Sequence, residues 1–220
     1  MSEEIAVKAE KSAKETPERR KRRMDWLYHL LYLIIWPYFR LIHPVRAVGR
    51  ENIPEGPAVI CPNHTTAGDP FYVVFAFGYR RPMRAMAKIE IMRVPFIGWI
   101  LGKAGVFGVD RDTTDVKAVR TAMKFLKEGD KLLMFPEGTR VRGGEDVQAK
   151  VGAALFATRT GVPLVPVYIQ RRKRRFRRNT VVIGKPYTPE YEGRKPTAEE
   201  LQVMAQDLMD RVQALGEGIE

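Results

Sequence analysis

The sequence predicts an α/β fold, a central and mostly parallel β-sheet flanked by helices. Short apolar runs recur along the chain, bounded by Pro, Gly or polar turn residues. Longer stretches of helical periodicity separate them from about Val45 onward, with no internal repeat. Alternating strand and helix signals of this kind belong to parallel sheets connected by crossover helices.

Residues 1–25 are rich in Lys, Glu, Arg and Ala and read as a charged leader, disordered or a frayed helix. The leader ends in Arg19, Arg20, Lys21, Arg22 and Arg23. An apolar, aromatic helix is expected over residues 26–44. Its uncharged core, Trp26 to Phe39, is 14 residues long and contains Pro37, read as a break. A spanning helix needs ~20 apolar residues, so an interfacial or re-entrant, membrane-associated segment is expected instead. Its Trp and Tyr suit the headgroup zone, and the basic cluster suits an anionic cytoplasmic leaflet. The alternative is an amphipathic helix packed on its own domain. A cleaved signal peptide fits poorly, because the leader is long and no small-residue site follows the run.

One domain is expected over residues 45–220. AVICP (58–62) reads as a buried strand, and DPFYVVFAFGY (69–79) as a helix with Asp69 at the N-cap and Pro70 in first helical position. AGVFGV (104–109) is strand-like, 113–129 helical, KLLMF (131–135) a strand stopped by Pro136, and 149–161 helical. VPLVPVYI (162–169) and TVVIGKPY (180–187) are strand-like, and 197–215 closes the chain as an amphipathic helix.

Composition restricts the chemistry. The 220 residues carry a net charge of +12, which favours an anionic partner. Cys61 is the single cysteine, so neither a disulfide framework nor a thiolate metal cluster is available. Serine occurs only at Ser2 and Ser12, which excludes a serine nucleophile inside the folded domain. The three histidines are His29, His43 and His64, too few and too scattered for a multi-histidine zinc site. His64 alone lies beyond the amino-terminal region.

In ICPNHTTAGDPF, His64 and Asp69 follow a buried strand. On a regular helix, residues five apart point roughly 140° from each other, so only a turn through Thr65 to Gly68 can pair them. At the carboxyl end of a strand such a turn lies where open α/β sheets place ligand crevices. His64 then serves as general base, Asp69 fixes its tautomer, and Asn63 braces the turn. A bland reading stands beside this one: a loop histidine and a carboxylate that merely caps a helix.

KLLMFPEGTR repeats the arrangement, setting Glu137, Gly138, Thr139 and Arg140 at the mouth of a second strand, while GVFGVDR delivers Arg111 at a third. Two arginines at one sheet edge, with Lys88 beside them, suit a phosphate. Glu137 would accept from a glycerol-like hydroxyl or order the arginines. Otherwise these charges form surface ion pairs of little worth. The glycines from Gly98 to Gly108 match neither a dinucleotide fingerprint nor a P-loop.

Taken together, NHTTAGD (63–69), GVFGVDR (105–111), FPEGTR (135–140) and VPLVPVYI (162–169) resemble, in order, the four blocks of the glycerolipid acyltransferases. AKVGAALFA (149–157) resembles the Lys-x-Gly segment that follows the third block. The likeness covers roughly residues 45–190 and is nearest to the small bacterial 1-acylglycerol-3-phosphate acyltransferases. It implies acyl transfer from acyl-coenzyme A or acyl-carrier protein, as co-substrate and without a cofactor or metal, to the sn-2 hydroxyl of lysophosphatidate. His64 and Asp69 would be catalytic; Arg111, Glu137, Gly138 and Arg140, with Lys88, would bind the glycerol phosphate. A bacterial enzyme on the cytoplasmic face of the cell membrane is expected. Val141 departs from the serine that many relatives carry. A lyso-ornithine or other lysolipid acceptor is the alternative.

Arg171 to Arg178, RRKRRFRR, places seven basic residues in eight. This run is read as facing anionic lipid, the phosphates of coenzyme A or an acidic carrier protein, or else as a solvated hairpin. Nucleic acid is not expected, because no recognised binding module accompanies the stripe.

Overall fold

The computed structural model describes residues 16–110, 113, 115–141 and 149–219. It begins with a 26-residue helix, α1 (Pro17–Ile42), whose N-cap Thr16 accepts from the Arg19 amide at 3.3 Å. The second half of the charged leader and the apolar run are thus one helix, and the boundary expected at residue 26 is absent. Lys, Arg and Glu are good helix formers, so a segment with little to bury still continues a helix that packing holds further on. Residues 1–15 lie outside the described residues. Pro37 does not break the helix; it removes the bond to the Leu33 carbonyl, and the ladder resumes to Ile42.

Seven strands follow: β1 (Val45–Val48), β2 (Ala58–Pro62), β3 (Met83–Lys88), β4 (Val106–Val109), β5 (Lys131–Leu133), β6 (Leu164–Ile169) and β7 (Asn179–Ile183). Their order is β1-β7-β6-β2-β5-β3-β4. β6, β2, β5, β3 and β4 are parallel; β7 runs antiparallel to β6 and carries β1 parallel to itself. The expected mostly parallel sheet is therefore what forms. β1 and β3 were not marked by apolar runs, because edge and amphipathic strands bury only part of their residues. The helices are α2 (Asp69–Phe77), α3 (Ile89–Arg93), α4 (Ile97–Lys103), α5 (Val116–Lys127), α6 (Gly152–Thr160) and α7 (Ala198–Ala214).

Period-two alternation divides the core into two layers. Ala58, Ile60, Leu133, Val165, Val167 and Ile169 face α1 and α2, meeting Phe39, Tyr72, Val73 and Phe77. Val59, Cys61, Leu132 and Leu164 face the opposite layer, where α5, α6 and α7 contribute Leu126, Phe156 and Leu208. Each fully buried Val, Leu, Ile or Phe among these contributes about 1.5–3 kcal/mol. α7 starts on a capping box, with Thr197 and Glu200 exchanging side-chain bonds to each other's amides at 3.1 and 2.7 Å.

α1 packs its own domain through Met24, Tyr28 and Phe39, while Trp26, Leu33, Ile34, Trp36, Tyr38 and Leu41 stay exposed. Among the described residues no helix is long and apolar enough to cross a membrane. The amino-terminal half of α1 is held by charge. Arg84 on β3, wholly buried, pairs with Asp25 of α1 at 2.6 Å and with Asp130 at 3.1 Å. Lys21 reaches the same Asp130 oxygen at 3.1 Å, and Arg20 pairs with Glu128. A buried ion pair stripped of one partner leaves an uncompensated charge. Arg84→Met is therefore expected to cost about 3 kcal/mol, a fall of roughly 6–12 °C in Tm by differential scanning calorimetry. A Tm within about 1 °C of the parent would show that Lys21 alone satisfies Asp130.

Candidate active site

The carboxyl ends of β2, β5, β3 and β4 lie side by side at one edge of the sheet. Position 64 just beyond β2, positions 137–140 beyond β5 and Lys88 at the end of β3 therefore share that edge. Two further ties fix β2. Asn63, 3% exposed, donates to the Ile169 carbonyl at 3.0 Å and accepts from the Ile169 amide at 2.6 Å. The Val141 amide donates to the His64 carbonyl at 2.8 Å.

The chain beyond His64 turns tightly through Thr65 to Gly68, and Gly68, not Asp69, is the N-cap of α2. Asp69 is the first helical residue, and its carboxylate points back into the turn. Its Oδ2 accepts from His64 Nδ1 at 3.0 Å and from the amides of Thr65 and Thr66 at 2.6 and 2.7 Å. Its Oδ1 accepts from the Thr66 hydroxyl at 2.8 Å and pairs with the Lys173 ammonium at 2.7 Å. Burial would raise the carboxyl's proton affinity, but the His64 bond, the Lys173 charge and the Thr66 amide hold it well below the usual carboxylate range. An ionised carboxylate only accepts, so Nδ1 carries a proton, and in the neutral imidazole the lone pair is then on Nε2. The imidazole lies flat on Phe135, with centroids 4.0 Å apart.

Lys173 is the residue that the sequence reading did not single out. The basic run forms the turn between β6 and β7, at the same sheet edge. Asn179 closes this turn, accepting from the Arg174 amide at 2.7 Å and donating to the carbonyls of Arg174 and Arg177. One lysine of the run is thereby directed inward, its side chain 10% exposed, with a bond to the Thr65 hydroxyl at 2.5 Å.

Glu137 is 5% exposed, so the surface ion-pair reading does not describe it. Its Oε2 accepts from the His64 amide at 2.9 Å and so steadies the backbone that carries the imidazole. Gly138 takes φ +68°, which a side chain tolerates poorly, and Thr139 and Arg140 are exposed beside it. Lys88 is half-exposed and pairs with Glu90 at 3.1 Å. Arg111 lies outside the described residues. Cys61 is wholly buried, and burial pushes its thiol far up, so it offers no thiolate. Among the described residues no group of His, Cys, Asp or Glu could hold a metal ion.

Near His64 opens an apolar cavity of about 450 Å³. Ala67 and Pro70 of the turn after β2, and Phe135, on which His64 stacks, are among its lining residues. Tyr28, Leu31, Tyr32 and Ile35 of α1 wall one side, and Ile97, Ile100 and Leu101 of α4 the other. The arrangement sets the His64 imidazole, stacked on the lining residue Phe135, beside a slot of a size and apolar character suited to a hydrocarbon chain.

Burial raises Glu137 from its ordinary 4.5 to about 7, against the His64 amide bond, which lowers it. The folded chain therefore binds a proton here that the unfolded chain has lost between those values, and stability from this group falls as pH rises from 4.5 to about 7. Glu137→Gln keeps an acceptor for the amide and cannot titrate. Its Tm relative to the parent is expected to improve by roughly 5 °C between about pH 5 and about pH 8. An equal difference at both pH values would show that Glu137 does not titrate in that window.

A family profile described as Acyltransferase matches residues 44–170. The 1-acyl-sn-glycerol-3-phosphate acyltransferase of Bacillus subtilis is 32% identical over 179 residues, covering 78% of this chain and 87% of that protein. Proteins of the same name from Borreliella burgdorferi and Pseudomonas aeruginosa are each 34% identical, over 60% and 54% of this chain. The chain spans about half the length of those two relatives, 54% and 46%. The solved structure of the 1-acyl-sn-glycerophosphate (LPA) acyltransferase PlsC from Thermotoga maritima superposes with a TM-score of 0.65 over 98% of this chain and 88% of that one. At 21% identity that likeness speaks for the fold. Fold, blocks and profile agree: the chain belongs to the Acyltransferase family.

Proposed function

We propose that the chain transfers a fatty acyl group from a thioester to the sn-2 hydroxyl of 1-acylglycerol-3-phosphate, giving phosphatidate, with His64 as general base. The observation that carries this reading is the His64–Asp69 pair at 3.0 Å, next to an apolar cavity lined by Phe135, on which His64 stacks, and by Ala67 and Pro70 of the same turn. Nε2 takes the hydroxyl proton as the oxygen attacks the thioester carbonyl. The C–O bond forms, the C–S bond breaks, and the imidazolium returns the proton to the departing thiolate. Asp69 stabilises the imidazolium between these events. No acyl-enzyme is required, in keeping with the missing serine and the inert Cys61.

The acyl chain of the thioester, carried by coenzyme A or by acyl-carrier protein, occupies the apolar cavity. Arg140, the backbone of the Gly138 turn and Lys88 surround the phosphate, with Arg111 completing the set. Relatives named for 1-acyl-sn-glycerol-3-phosphate support this acceptor over other lysolipids. His64→Ala is expected to lower kcat/KM by about 10³-fold or more while the fold is kept, with thiol release from acyl-coenzyme A and lysophosphatidate as the readout. Turnover within about tenfold of the parent would sink the assignment of the base.

The exposed stripe of α1 indicates where the chain meets its substrate. Trp26, Leu33, Ile34 and Leu41 are each more than half exposed, which is costly in water over a contiguous patch. Beside them stand Arg22, Arg23 and the Arg171–Arg178 turn, whose Phe176 amide donates to the Ile42 carbonyl at 2.7 Å. This face lies on an anionic phospholipid surface, cytoplasmic in a bacterium, with α1 in the interface. The double variant Leu33→Glu/Leu41→Glu is expected to lose about tenfold or more in co-sedimentation with phosphatidylglycerol vesicles. Unchanged pelleting would place the membrane contact on another face.

A further inference from the structure

The carboxylate that holds His64 also pairs with a cation, and the mechanism above does not use it. Lys173 touches Asp69 Oδ1 at 2.7 Å, on the oxygen opposite the one that holds His64. The other six basic residues of the run 171–178 are all arginines, yet the inward position is taken by the lysine. The ammonium stands over the Tyr72 ring at 5.8 Å and donates to the Thr65 hydroxyl. Asp69 has no solvent contact, so its charge is met by fixed donors: His64, Lys173, the Thr65 and Thr66 amides and the Thr66 hydroxyl.

We infer that Lys173 is a positioning residue that sets the proton affinity of the catalytic base through the shared carboxylate. This inference rests on His64 being that base. The ammonium keeps Asp69 ionised, which secures the Nδ1–H tautomer and the free lone pair on Nε2. It also shares the carboxylate's field with the imidazole, so the imidazolium that forms in turnover is held less tightly than by an unshared carboxylate. The proton then passes readily to the departing thiolate. A base with a lone aspartate would trap the proton; one with the ammonium beside it releases it. The other ionisable groups facing this cluster are Glu137 from the turn after β5, Arg171 from the basic turn and Tyr72 from α2.

The test compares neutral and charged substitutions. Lys173→Gln retains a donor to Asp69 and loses the charge; Lys173→Met is a second neutral variant whose stem packs over Tyr72. For both, kcat at neutral pH is expected to fall by about 10- to 100-fold, with KM for lysophosphatidate and acyl-coenzyme A changed less than about threefold. The acid limb of the kcat/KM profile is expected to move up by about one pH unit, the effect of removing one nearby unit charge in a partly screened site. Lys173→Arg is expected to restore the parent limb and most of kcat. A neutral variant with the parent limb overturns the inference, as does an arginine variant whose limb matches the neutral ones. Failure of both neutral variants to fold also overturns it, since the charge is then a requirement of folding and not a setting of the base. If the parent chain itself releases no thiol with lysophosphatidate, the proposed function fails first, and an active parent with unmoved limbs removes this inference alone.

Discussion

Asp69 is a carboxylate without solvent, and a charge taken out of water has to be met by fixed donors or it cannot stay ionised. That requirement shapes the local chain. The turn after β2 bends so that two amides and a hydroxyl converge on one side group, and the imidazole and an ammonium supply the rest. The conformation that satisfies the carboxylate is the conformation that aims the histidine. The geometry of the His64–Asp69 pair and local stability are here one arrangement, which explains how a short, irregular segment holds an imidazole in place.

That turn needs an immobile foundation, and the sheet provides it. Asn63 joins β2 to β6, and the Val141 and His64 backbones join the turn to the segment after β5. Glu137 reaches the His64 amide from the same side. An imidazole carried by parallel strand ends is therefore fixed by neighbours on both flanks. The loops that meet at this edge come from distant parts of the sequence, from the first third to beyond residue 170, and only the sheet order brings them together.

Much of this was legible in residues and spacing. The buried strands at 58–62 and 162–169 are uniformly apolar and appear where expected. The pairing of His64 with Asp69 follows from the need to escape helical geometry. Other features were hidden for identifiable reasons. A tract such as RRKRRFRR looks uniformly solvated, because sequence does not reveal that Asn179 folds the turn and sends Lys173 inward. Arg84 sits in a weakly apolar strand, and its burial depends on acids from α1 and from the segment before β5. Asp69 looks like a helix cap because Asp before Pro usually is one; the carboxylate instead serves the turn behind it. The leader looks unstructured by composition, yet helicity passes into it from the packed half of α1.

α1 has a consequence for how selectivity arises. Tyr28, Leu31, Tyr32 and Ile35 on one side of this helix bound the cavity, and Leu33, Ile34 and Leu41 on the other meet whatever surrounds the molecule. A packed helix moves as a unit, so lateral pressure on its outer side is transmitted inward and alters the room in the cavity. Under the proposed acyl transfer, discrimination among chains becomes a joint property of polypeptide and surroundings. A detergent micelle and a bilayer would present the same sequence with differently dimensioned interiors.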